Sequence, residues 1–142
     1  WRIPAAKMKG RVTHIVPLAT QAVSILRELQ SLTGHSSWVF PGVRTNGEPM
    51  SENTVNAALR RLGYDRSMIT AHGFRGMAST LLHECGWPSD VIERQLSNAE
   101  RNAVKAAYNH AEHLPARRKM MQAWADHLDV LRKGGKVVSL RA

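Results

Sequence analysis

Apolar positions along the chain form one short stretch of strand-like pattern at the start and then a succession of helical repeats. Arg11-Val12-Thr13-His14-Ile15-Val16 reads as a strand ending at Pro17. Trp1-Arg2-Ile3-Pro4 is its candidate partner, with the turn of the hairpin between Lys7 and Gly10. Thr20, a good N-cap type, precedes Ala22, Val23, Ile25, Leu26 and Leu29 at helical spacing, and Gly34 stops that helix. Ser37 to Phe40 is a short apolar stretch leading to Pro41-Gly42, and a polar loop runs from Val43 to Pro49. Ser51 is expected to cap a second helix that turns Val55, Ala58 and Leu59 inward and ends at Leu62-Gly63.

The third helix begins near Thr70 and runs through His72, Arg75, Ala78, Leu81 and Leu82 to Gly86. Phe74 is expected in the core. Ser89 or Asp90 caps a fourth helix from Val91 to Leu96, and a fifth helical stretch carries Val104, Ala107 and Tyr108. A long last helix starts after Leu114-Pro115, carries Met120, Met121, Trp124, Leu128 and Leu131, and ends at Gly134-Gly135. The predicted fold is mainly α with a small antiparallel β-sheet, an α+β arrangement in one domain. It divides into a hairpin over 1–18, a helical body over 19–133 and a C-terminal tail over 134–142. Val137, Val138 and Leu140 after the glycine pair suggest that the tail packs on a neighbouring protomer.

Composition narrows the classes. In 142 residues, 43% hydrophobic content suffices for a core, so a disordered basic tail is excluded. No apolar run approaches membrane-helix length, and no signal-peptide pattern opens the chain. The lone cysteine, Cys85, excludes an internal disulfide framework and fits a reducing, cytoplasmic setting. His110, His113 and His127 lack carboxylate partners at ligand spacing, so no metal site is expected. The net charge of +9 points to a polyanion, with a phosphate backbone the usual one. Arg60, Arg61, Arg66 and Arg11 are the candidates for DNA-backbone contacts. Trp87, Trp124, Met120 and Met121 read as packing residues, His14 as structural and Cys85 as a buried inert thiol.

The most informative stretch is Thr70-Ala71-His72-Gly73-Phe74-Arg75. His72 and Arg75, three apart at a helix start, share one face and can both donate to non-bridging phosphate oxygens. That pair alone is weak. Lys9 at the hairpin, Leu96-Ser97-Asn98 at a later helix end and Tyr108 ten residues beyond strengthen it. A tyrosine attacks phosphorus when cations stabilise the developing phenolate. Basic residues around one tyrosine suggest phosphoryl transfer by covalent catalysis.

The chain resembles the catalytic domain of the tyrosine recombinases, specifically prophage-type integrases. The resemblance is carried by Lys9-Gly10, His14-Ile15-Val16-Pro17-Leu18, Ala71-His72-Gly73-Phe74-Arg75 and Arg94-Gln95-Leu96-Ser97. It continues through Glu100-Arg101-Asn102, Ala106-Ala107-Tyr108-Asn109 and Arg117 to Ala125. It implies a DNA-integrating enzyme in which Tyr108 forms a 3′-phosphotyrosyl bond and releases a 5′-hydroxyl. Arg75 would stabilise the pentavalent transition state, His72 would bind the phosphate and assist proton transfer, and Lys9 would protonate the leaving oxygen. It further implies double-stranded attachment sites, a homotetramer on DNA, accessory DNA-bending factors of host or phage, a bacterial or prophage-encoded origin, and no metal or other cofactor.

Two departures stand out. The family carries a further catalytic Arg on an early helix, and Arg2, in the first strand, does not match it. That Arg and a core-binding domain are expected upstream of Trp1, leaving this fragment inactive alone. The family's usual His, less often Trp, after Gln95-Leu96-Ser97 is Asn98 here. An amide donates a hydrogen bond but carries no proton. A non-catalytic DNA-binding module or decayed recombinase therefore stays open, as does a basic helical protein-interaction domain.

Overall fold

A computed structural model describes residues 1–43, 47–97 and 113–134. The sequence-expected helix around Tyr108, the residue Asn98 and the tail after 134 lie outside the described residues. The described chain is mainly helical with one two-stranded antiparallel sheet. Strands β1 (Arg2–Ile3) and β2 (His14–Ile15) pair Arg2 with Ile15 and Ile3 with His14. Helices follow as α1 (Thr20–Thr33), α2 (Thr54–Arg61), α3 (Gly73–Glu84), α4 (Ser89–Gln95) and α5 (Leu114–Arg132). The described residues of Trp1–Gln21 and Ser79–Ala142 form one compact unit, and those of Ala22–Ala78 form a second.

The hairpin is shorter than its apolar pattern suggests. A 3-10 turn over Ala5–Lys7 follows Pro4, and Met8–Arg11 closes a β-turn through the Arg11 N–H and the Met8 carbonyl at 3.0 Å. Lys9 and Gly10 are the central residues of that turn. Arg11 has φ +53°, a left-handed conformation that non-glycine residues rarely adopt.

The core of the first unit joins Leu82 of α3, Val91 and Ile92 of α4, and Met120 of α5. Trp87, Leu96, Met121 and Trp124 pack around it, as their apolar character predicts. Along α5, Arg117, Met120, Trp124 and His127 recur at spacings of three and four, which places them on one helix face. Arg117, Met120 and His127 are buried, and the Trp124 and His127 rings stack with centroids 5.7 Å apart.

Several caps differ from expectation. Thr20 is the first residue of α1, and its N–H donates to Gln122 Oε1 at 3.0 Å, so a side chain from α5 does the capping. The same joint includes Gln21 Nε2 donating to Asp126 Oδ1 at 2.7 Å and to Asp129 Oδ2 at 3.1 Å. Ser51 closes a turn ahead of α2, where its carbonyl accepts from the Thr54 N–H; Asn53 is the residue before the helix. Ser89 and Asp90 lie inside α4, which Pro88 precedes. Phe74 and Val55, expected to face inward, are each 42% exposed.

Candidate functional site

The predicted site residues fall in both units, and each unit is built separately. In the second unit, the loop between α2 and α3 sets the start of α3. Arg60 Nη1 donates to the Tyr64 carbonyl, and Arg60 Nη2 donates to the Ile69 carbonyl at 2.6 Å, so one guanidinium ties both ends of the loop. Between those ends, Asp65 Oδ1 accepts from the Ser67 hydroxyl at 2.6 Å and from the Ser67 and Met68 N–H groups at 2.7 and 3.0 Å. The Ser67 hydroxyl, then the two backbone donors, hold the Asp65 carboxyl below its ordinary 3.8. Asn56 Oδ1 accepts from the Ala71 N–H at 2.9 Å, which pins the last loop residue before His72 to α2.

Thr70 then starts α3: its hydroxyl accepts from the Gly73 N–H at 3.1 Å. His72 is the residue immediately before the helix rather than within it, and its carbonyl accepts from the Arg75 N–H at 3.1 Å. Both side chains are exposed. Asn53, Asn56, Ala57, Arg60, Arg66 and Thr70 line an open pocket of about 390 Å³ with amide, hydroxyl and guanidinium groups; neither His72 nor Arg75 lines it. Arg61 and Arg66 are exposed, whereas Arg60 is half-buried by its two loop contacts.

In the first unit, Lys9 stands exposed at the tip of the hairpin, and Arg11 is exposed beside it. The hairpin base is held from below. His14 is 6% exposed, and its Nε2 donates to the Gln95 carbonyl at 3.2 Å. Arg117 is fully buried. Its Nε donates to Gln95 Oε1 at 3.0 Å and its Nη2 to the Ile15 carbonyl, whereas buried Nη1 has no partner among the described residues. Burial, with a smaller contribution from the Arg94 charge, pushes the Arg117 guanidinium down to about 10, so it stays charged at neutral pH.

Arg117, Arg118 and Lys119 are three consecutive basic residues. Of these, only Arg118 and Lys119 are exposed. The signal for burial was present: Arg117 continues the stripe of Met120, Trp124 and His127. Tyr108 and Asn98 lie outside the described residues, as do residues 44–46. Among the described residues no group of three or more His, Cys, Asp or Glu side chains is placed to hold a metal ion, and no helix is long and apolar enough to cross a membrane.

Residues 1–114 match the phage integrase family. The chain is 48% identical over 155 residues to the integrase of Enterobacteria phage P4, an alignment covering 99% of this chain and 35% of the relative. It is 42% identical to the prophage integrase IntA of Escherichia coli strain K12, over 98% of this chain and 33% of the relative. The integrase of Shigella phage Sf6 is 43% identical over 89% of this chain and 33% of its own length. The chain thus spans about a third of the length of these relatives. No solved structure matches it.

Proposed function

The chain belongs to the phage integrase family, and on that premise we propose that it carries the catalytic residues of a site-specific DNA recombinase acting through Tyr108. The observation that carries this reading is the reach of the family match. It runs through residues 1–114 and so takes in Lys9, His72, Arg75, Asn98 and Tyr108 together.

In this reading the Tyr108 oxygen attacks the scissile phosphorus, and the bond from phosphorus to the 5′-oxygen breaks. The phosphate stays on the protein as a 3′-phosphotyrosine. His72 hydrogen-bonds the phosphate and assists removal of the phenol proton. Arg75 donates to the non-bridging oxygens, where charge accumulates in the pentavalent transition state. The Lys9 ammonium gives its proton to the departing 5′-oxygen, which leaves as a hydroxyl. Attack of a second 5′-hydroxyl on the phosphotyrosine reverses each step and joins new ends. The covalent bond conserves the energy of the broken one. Asn98 donates a hydrogen bond to a phosphate oxygen. Arg61, Arg66 and Arg11, with Arg60 at the pocket edge, meet the flanking backbone. The working assembly is a homotetramer bringing two attachment sites together.

The test is covalent capture. The protein as encoded, with whatever chain flanks these residues, is incubated with a randomised pool of nicked duplexes. Adducts are resolved on a denaturing gel, and the captured sequences define the site. A protein–DNA adduct is expected in the wild type and lost in Tyr108→Phe. DNA binding without any adduct would leave a non-catalytic DNA-binding module in its place.

A further inference from the structure

Arg117 is a buried cation with no carboxylate partner among the described residues. Such a position costs free energy, because a guanidinium leaves water and regains two acceptors among the described residues. The surrounding stripe on α5 would be filled more favourably by a Met or Leu, since an apolar side chain of similar volume is often neutral or stabilising at such sites. What an apolar side chain lacks is a planar fork of donors that reaches two acceptors on different elements at once. Arg117 uses that fork on the Ile15 carbonyl of β2 and on the Gln95 side chain of α4.

The element it grips cannot hold itself. A two-stranded hairpin is at best marginal alone, and this one has two residues per strand. Its own closure adds the Val16 N–H to the Trp1 carbonyl at 2.7 Å and the Trp1 N–H to the Val16 carbonyl at 2.9 Å. Both hydrogen bonds stay within the hairpin. Among the described residues, Arg117 and His14 tie β2 to the helices, and their bonds converge on one residue. His14 donates to the backbone carbonyl of Gln95 and Arg117 to its side chain. Gln95 is the last residue of α4, three positions before Asn98.

Building on the function proposed above, we infer that Arg117 is a positioning residue: it clamps β2 to the end of α4 and thereby fixes the turn that carries Lys9 for its proton transfer. The lysine itself sits on an exposed β-turn, so its placement depends on the base of the hairpin. Misplacing a reacting group by about 1 Å costs about 10²-fold in rate. The guanidinium never meets the DNA and acts only through the hairpin.

A leaving group that needs no acid separates this role from general structural support. Replacing the bridging 5′-oxygen of the captured site with sulfur gives a thiolate, which departs without protonation. Cleavage of both substrates is measured for the encoded protein and for Lys9→Ala, Arg117→Lys, Gln95→Leu and Gln95→Glu, with thermal unfolding as a check. On the oxygen substrate, Arg117→Lys and Gln95→Leu are expected to slow cleavage about 10²-fold. Gln95→Glu, which keeps an acceptor for the guanidinium, stays near the wild-type rate. On the sulfur substrate the slow variants recover together with Lys9→Ala. Should Lys9→Ala recover while Arg117→Lys and Gln95→Leu stay slow, the clamp does not act through Lys9 and the inference is overturned, with the proposed function intact. If Lys9→Ala fails to recover, Lys9 is not the acid and the inference falls with that assignment. Where Arg117→Lys does not fold, the contrast between Gln95→Leu and Gln95→Glu decides.

Discussion

Asp65 shows how one side chain sets local geometry in the second unit. Its carboxylate receives three hydrogen bonds from Ser67 and Met68, two and three positions further along the loop that delivers His72. These donors favour the charged form, so the folded value lies below the unfolded 3.8. The linkage sign follows: the stabilisation is present above pH 3.8 and is lost as pH falls through the depressed folded value. A carboxyl-carbon titration by NMR is expected to give a midpoint below 3.8, moving upward in Ser67→Ala because the largest cause is removed. A wild-type midpoint at or above 3.8 would contradict the hydrogen bonds. The residue types of such a turn are visible in Asp65-Arg66-Ser67-Met68, yet the sequence reading singled out only Arg66, for its charge. Arg60 and Arg117 carry the same lesson. A formal charge does not tell whether a guanidinium faces solvent or binds backbone carbonyls.

At the scale of elements, helices were readable where apolar spacing meets a glycine stop. Gly63, Gly86 and Gly134 follow α2, α3 and α5 with φ of +91°, +82° and +71°, the left-handed backbone a helix end favours. Starts were less readable. Thr20 and Ser51 have the chemistry of caps, but the acceptor that meets the first N–H of α1 comes from Gln122, far along the chain. Met120 was readable as a packing residue, whereas its partner was not: α4 packs on α5 with Ile92 and Met120, both fully buried, at the centre. Met120→Ala is expected to lower unfolding free energy by about 2–5 kcal/mol, and Met120→Leu by under about 1.5 kcal/mol. Urea denaturation of the encoded protein measures both. Equal losses in the two variants would mean that side-chain volume at this position is not what matters.

For the molecule as a whole, the net charge of +9 is the property most directly tied to a nucleic-acid partner. If about six phosphates are contacted, affinity for duplex DNA should fall on the order of 10³-fold between 50 and 200 mM salt. Fluorescence anisotropy checks this, and a flat salt dependence would remove the charge from the account of binding. Sequence alone determined the mainly helical class, the hairpin, the glycine stops and the family. Each depends on local spacing, residue type or ordered motifs, all of which are properties of the chain in one dimension. Tertiary structure alone decided that Arg117 is interior, that Gln95 accepts from both Arg117 and His14, and that Arg60 ties a loop. Those outcomes depend on which distant carbonyls reach a given donor, and on whether water can reach it too. A linear pattern records neither.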